Sequence, residues 1–409
     1  MNSPIQTAWV KPPFETGGLD HLGVQAPCIQ IYGQLLPGIT NVTDRARYYS
    51  FYLWLFHEFD KKGWRERDQI IACLRKADCL FTLVAIRHGQ LHDNYSDHAG
   101  SAVGSNTLTS VVSALDTNDC IQLSDYAHLN DNDDTRYFMN AFGGLGQYYF
   151  GVLEGLRLMS GSSVSEAKLF KQTGVKIANA MSLGVSGDAF MEVVESGEVT
   201  LAILDELSSF CHCQLTSSIE EASLLVDVMR EGWPAITGET QDVDSAESEA
   251  ASLARSKSLA LLIKLAGMSA DSGAMFDVHS FRGATYSQCG FDNQPIAFSE
   301  PLSPMAGCWQ VYQRNEVLAV AMQGLFYAML RAVDLYAGGI DQRFMGTREL
   351  SRWFWHSGPG SQVLENEGAA TLKDFLNTRA EALPTFGEWR NEAHEIQLIE
   401  QIVNQTKQS

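Results

Sequence analysis

The sequence predicts an all-α protein, an irregular multi-helix array or bundle with a loop-rich insertion near 269–307. Three observations predict it. Apolar residues recur at three-and-four spacing along most of the chain, strand-like alternation is scarce, and no fixed-period repeat points to a regular solenoid. With 409 residues, 45% apolar and 19% charged, the chain can bury a large core and is not globally disordered.

Taken in order, a short apolar stretch from Ile29 to Leu36 stops at Pro37-Gly38, and Asn41-Val42-Thr43-Asp44 then precedes a helix over 45–62. Thr43 or Asp44 is its expected N-cap, because a short side-chain oxygen takes up an orphan N–H. Tyr48, Phe51, Tyr52, Leu55, Phe56 and Phe59 form a wide aromatic stripe, the mark of a central core helix. A second amphipathic helix follows over 68–89. The turn-rich stretch 92–106 reads as a loop, 130–134 as a polar connection, and 135–158 as an aromatic helix whose glycines allow close helix packing. Further helices are expected at 165–180, 197–210 and 219–231. Ile236 to Ser252 carries Glu239, Asp242, Asp244, Glu247 and Glu249 without a base, and reads as a solvated acidic linker. It divides an N-terminal helical domain, 1–235, from a C-terminal one, 253–409. Beyond it come a helix over 254–268, the irregular 269–307, and a long helix over 308–336 that is apolar nearly all round and so expected to be buried. Helical segments at 347–355, 371–383 and 386–405 close the chain.

Acids outnumber bases 49 to 29, for a formal charge of −20, which disfavours a protein that coats nucleic acid. The N-terminus carries Lys11 and Glu15 and shows no apolar h-region of a signal peptide. The longest uncharged apolar helical run, Val317 to Leu330, is 14 residues, short of the roughly 20 a bilayer needs. The eight cysteines form no CxxC pair and are expected to be reduced and buried. A cytoplasmic protein with no membrane partner is the expectation.

Recognised chemistry is sparse. No glycine is followed by lysine, so a phosphate-binding Walker A loop is absent, and Gly144-Leu145-Gly146 lacks the third glycine of a dinucleotide fingerprint. There is no GxSxG and no HExxH. Glu166-Ala167-Lys168 with Glu154 superficially matches a nuclease pattern, but all lie in expected helix, where a surface ion pair is the simpler reading. No cofactor is therefore expected, and no catalytic residue can be named.

Two groups of metal-ligating side chains remain. His88, His92 and His98 fall close together, with His88 and His92 on one helix face if the helix runs that far. Cys211-His212-Cys213 is compact, although successive residues of a helix point about 100° apart and are awkward ligands to one ion. The base distribution offers a third feature. Residues 1–90 hold ten bases against eight acids, and Arg45, Arg47, Lys61, Lys62, Arg65 and Arg67 interleave with tyrosine and tryptophan, a candidate face for phosphate or an acidic partner. Arg45 and Arg47 sit where a helix macrodipole disfavours cations. They need either carboxylate partners, such as Asp44, Glu58 or a distant acid, or a bound anion.

Leu35-Leu36-Pro37-Gly38-Ile39-Thr40-Asn41-Val42-Thr43-Asp44-Arg45-Ala46-Arg47-Tyr48-Tyr49-Ser50-Phe51-Tyr52 resembles a segment of uncharacterised bacterial proteins encoded in anti-phage defence islands. The shared form is a Pro-Gly turn followed by Thr-x-Arg-Ala-Arg-Tyr opening an aromatic helix, and Trp309-Gln310-Val311-Tyr312-Gln313 is similar in a vaguer way. The resemblance implies a multi-gene defence system, with a helicase or other ATPase encoded nearby, and brings no catalytic residues. The function expected is a non-catalytic helical adaptor or sensor subunit that docks other protein subunits. The alternatives are a metal-dependent nuclease or other hydrolase, and a nucleic-acid-binding subunit using the 45–76 region.

Overall fold

The computed structural model describes residues 20, 22–116, 119–130, 133, 135–231, 245–290, 292, 294–300 and 302–336. Within them the fold is all-α, and strands are limited to two two-stranded antiparallel ladders. No helix among the described residues is long and apolar enough to cross a membrane. The chain divides into two compact units, one of residues 33–259 and one joining 1–32 to 260–409.

After α1 (Gln25–Leu35), the larger unit is built on α2 (Arg47–Lys61) and α3 (Arg67–Leu91). The expected aromatic stripe of α2 is buried, and so are Leu53 and Trp54 outside it, which makes α2 a helix covered almost all round. Phe51 stacks on Phe81 of α3 with centroids 3.9 Å apart, and Trp54 packs edge-on against Phe190 at 5.4 Å and Phe210 at 5.0 Å. The expected cap of α2 is not used. Thr43 is engaged in a turn with Thr40, accepting the Thr40 N–H at 3.3 Å and donating to its carbonyl at 3.2 Å. A tight turn leads into the helix instead, with Tyr48 N–H bonded to the Arg45 carbonyl at 3.1 Å.

Several expected elements are broken by local needs. The stretch 92–106 contains a short helix, α4 (Tyr95–Ala99), and the start of α5 (Ser105–Ala114). β1 (Ile121–Gln122) and α6 (Ser124–Ala127) follow. In place of a helix over 135–158 there is a turn-rich segment, a π turn over Leu145–Tyr149, and α7 (Phe150–Gly155). The reason is the buried Asp78 carboxylate, which accepts Tyr52 Oη–H at 2.9 Å, Tyr137 Oη–H at 3.0 Å and the Gly144 N–H at 2.8 Å. Gly143 (φ +58°) passes so close that a Cβ would lie 2.5 Å from the carboxylate, so this glycine serves a buried charge rather than a helix contact.

Glu166 and Lys168 do not share a helix either. A 3-10 turn over Val164–Glu166 leads to β3 (Lys168–Leu169), which pairs with β2 (Met159–Ser160) before α8 (Gly174–Ser182). After α9 (Gly187–Ser196), Gly197 turns the chain into β4 (Glu198–Val199) beside β1. Thr200 then caps α10 (Leu201–Glu206), and 3-10 turns over Leu207–Phe210 and His212–Ser217 lead to α11 (Ile219–Glu231).

Residues 236–244 of the expected acidic connection lie outside the described residues, as do the segments expected at 347–355, 371–383 and 386–405. Residues 245–252 belong to α12 (Ser245–Asp271), where Ala246, Ala250 and Ala251 favour helix over open linker. In the smaller unit the expected irregular segment holds α13 (Val278–Ser287), followed by α14 (Ser303–Tyr336). Its core is aromatic: Trp309 meets Phe281 at 5.0 Å and Tyr32 at 6.4 Å, edge to face. Among its described side chains α14 buries one face, with Met305, Ala306, Trp309, Gln313 and Ala319, and exposes Cys308, Val311, Leu318 and Met322. The helix is amphipathic in position although its sequence is apolar. The cysteines also correct an expectation, since only Cys28, Cys79 and Cys211 are buried and Cys120 and Cys308 are exposed.

Candidate metal centre

Three segments far apart in sequence converge in the larger unit. The last turn of α3 supplies His88, α4 supplies His98, and the turn after Phe210 supplies Cys211 and Cys213. One ligand atom from each of the four lies within 4.8 Å of every other. His88 Nδ1 is 2.9 Å from His98 Nδ1, His98 Nδ1 is 3.2 Å from Cys211 Sγ, and Cys213 Sγ is 3.5 Å from His88 Nδ1.

The set can be tested against zinc. With Zn–N of about 2.0–2.1 Å and Zn–S of about 2.3 Å, the edges of a tetrahedral Cys₂His₂ site fall at roughly 3.3 to 3.8 Å. Three of the separations, 2.9, 3.2 and 3.5 Å, lie at or a few tenths of an ångström inside that range, and all four donor atoms stay within 4.8 Å of one another, so modest side-chain adjustment closes the set around one ion. Two thiols and two imidazoles are also the donor set zinc takes in closed structural sites. Four of the five side chains that the sequence offered as metal ligands, His88, His98, Cys211 and Cys213, converge here.

Local structure explains why two ligands can come from Cys211-His212-Cys213. Cys211 is extended (φ −56°, ψ 145°) and the 3-10 turn begins only at His212, so the helical spacing that made the tripeptide awkward does not apply. The two cysteines face the cluster while His212 turns into the core, its ring centroid 4.9 Å from both Tyr48 and Phe81. Burial lowers the His212 pKa to about 3, so it is a neutral core residue, and neither of its ring nitrogens finds a hydrogen-bond partner.

His92 stands behind His88. It caps α3, and its Nε2 lies 3.1 Å from His88 Nε2. With His88 Nδ1 directed at the cluster, its Nε2–H can donate to His92, which fixes the tautomer a metal ligand needs. Burial first, and neighbouring imidazoles second, lower the His88 and His98 pKa values and favour the neutral, metal-binding form. Burial pushes the Cys211 thiol up to about 12, while the Arg47 charge pulls the other way. A thiol in that setting becomes thiolate when a divalent ion coordinates it.

Five of the six candidate basic residues are held by acids or backbone carbonyls of this chain. Arg47 is 1% exposed and forms a buried ion pair with Glu221 at 3.5 Å, a distant acid rather than Asp44 or Glu58. Arg45 donates to backbone carbonyls. Lys61 pairs with Glu58 at 2.7 Å, Lys62 with Glu195 at 2.5 Å and Arg65 with Asp60 at 2.7 Å, while Arg67 lies 5.9 Å from the centroid of Phe142. A shallow cleft of about 380 Å³ near Lys62 is lined also by Asp188, Glu192 and Glu195, an acidic setting unsuited to phosphate.

Sequence reasoning held both ligand groups apart because nothing in one chain joins residues 88–98 to 211–213. Comparison with family models, curated proteins and solved structures finds no match.

Proposed function

We propose that this chain is a non-catalytic helical adaptor or sensor subunit whose larger unit is stapled by a structural zinc ion held by His88, His98, Cys211 and Cys213. The observation that carries the reading is the closed donor set: four protein ligands from three segments, three of them buried. Catalytic zinc sites keep one position for water or substrate, whereas four protein ligands leave none. The resemblance of Thr43 to Tyr48 supports a bacterial anti-phage defence context, and the −20 charge favours protein partners, a helicase or ATPase among them, over nucleic acid.

Cobalt substitution tests the reading. Cobalt(II) bound to the full chain should give the strong visible bands of a tetrahedral S₂N₂ site, and adding azide should leave them unchanged. A spectrum that shifts with azide would mean an open position and favour the hydrolase instead.

A further inference from the structure

We infer that Arg45 and Arg47, the two arginines of the Thr-Asp-Arg-Ala-Arg-Tyr segment, are positioning residues of the metal centre, Arg45 clamping the His98 segment and Arg47 the Cys211 segment to the start of α2. The inference rests on the zinc reading above and deepens it.

The geometry is specific to the ligand segments. Arg45 Nε donates to the Gly100 carbonyl at 2.6 Å, Nη1 to Asp97 at 3.3 Å and Nη2 to Ser96, so one guanidinium grips three carbonyls around His98. Arg47 Nη1 donates at 2.5 Å to the carbonyl of Cys211, itself a ligand, and its Nε faces Glu221. Two residues apart at the entry to α2, the arginines reach two different ligand segments. Position 100 must be glycine for this to work, because a Cβ there would lie 2.6 Å from the Ser96 carbonyl and 2.9 Å from Arg45 Nη2.

The clamps suit the electrostatics as well. A short helix such as α4 ends in carbonyls without partners inside it, and a guanidinium offers several donors in one plane to take them up. Outer-shell partners of this kind typically change metal affinity by about 10- to 100-fold when removed.

The experiment is a chelator competition for zinc on the full chain, run with melting curves of the zinc-loaded and zinc-stripped protein. Arg45→Met leaves no buried countercharge, and should weaken zinc binding by about 10- to 100-fold while the stripped protein melts as the wild type does. Arg45→Lys keeps the charge but not the three-way fork, and should recover little of the loss. Arg75→Met serves as the control, since Arg75 also grips carbonyls (Ala127 at 2.7 Å, His128 at 2.8 Å) but none near a ligand. It should lower stability with and without zinc alike.

An Arg45→Met protein that binds zinc as tightly as wild type overturns the inference, whatever its melting temperature. So does full recovery by Arg45→Lys. A wild-type chain that takes up no zinc overturns the metal reading itself, a result distinct from either.

Discussion

Arg45, Arg47, Arg75 and Arg255 direct their guanidinium groups at backbone carbonyls inside the larger unit, Arg75 at four of them between Ala127 and Asn140, and Arg255 at Pro37, Val228 and Met229. Segments with little regular structure leave carbonyls unpaired, and a buried arginine can satisfy several at once. Asp78 is the acidic counterpart, accepting three donors on two oxygens. An amide in its place would turn an NH₂ toward one or more of those donors, so Asp78→Asn should cost about 1–3 kcal/mol at pH 7.5, measured by denaturant unfolding. Burial raises the Asp78 pKa from 3.8 to about 6, against the opposing pull of its hydrogen bonds and Arg75. Since the folded value exceeds the unfolded one, the folded state binds the proton first. Asp78 therefore adds stability as pH falls through about 6, an effect complete below about 4 and absent above the folded pKa. The stability gap between wild type and Asp78→Asn should widen from pH 6.5 to 4.5. A gap that stays flat would place Asp78 at an ordinary carboxylate pKa.

Among the elements, α2, α3 and α11 follow the sequence closely because their apolar spacing and their packing agree. The stretch 135–158 fails for a physical reason: its helical pattern is overridden by a carboxylate 57 or more residues earlier, visible only once Tyr137 and Gly144 are seen to contact Asp78. The ligand segments escape the pattern likewise, since α4 is a short Asn94-capped turn and both it and Cys211 are held by Arg45 and Arg47 from more than fifty residues away. Helix α14 shows a third kind of limit. Its sequence is apolar nearly all round, so pattern alone cannot choose the buried face, whereas Trp309 is 4% and Val311 56% exposed. Trp309→Ala should cost about 3–5 kcal/mol, and Val311→Ser should stay within about 0.5 kcal/mol. Equal costs at the two positions would mean that α14 is not one-faced.

For the molecule as a whole, composition and period were enough to predict the all-α class, and the absence of nucleotide and hydrolase motifs narrowed the chemistry without naming it. What composition cannot carry is convergence, the meeting of His88 and His98 with Cys211 and Cys213 across more than a hundred residues. A zinc ion there would tie α3, α4 and the turn before α11 at one point, and the binding energy of such a site is folding energy. Stripping zinc from the full chain with a strong chelator should lower the melting temperature by more than about 10 °C, and added zinc should restore it. Metal content, determined by mass spectrometry on the purified full chain beside its Cys211→Ser, Cys213→Ser variant, tests the zinc site most directly. The zinc reading predicts about one zinc per wild-type chain and less than a tenth of that in the variant. A wild-type chain that is folded, holds no zinc and melts identically after zinc is added would contradict it.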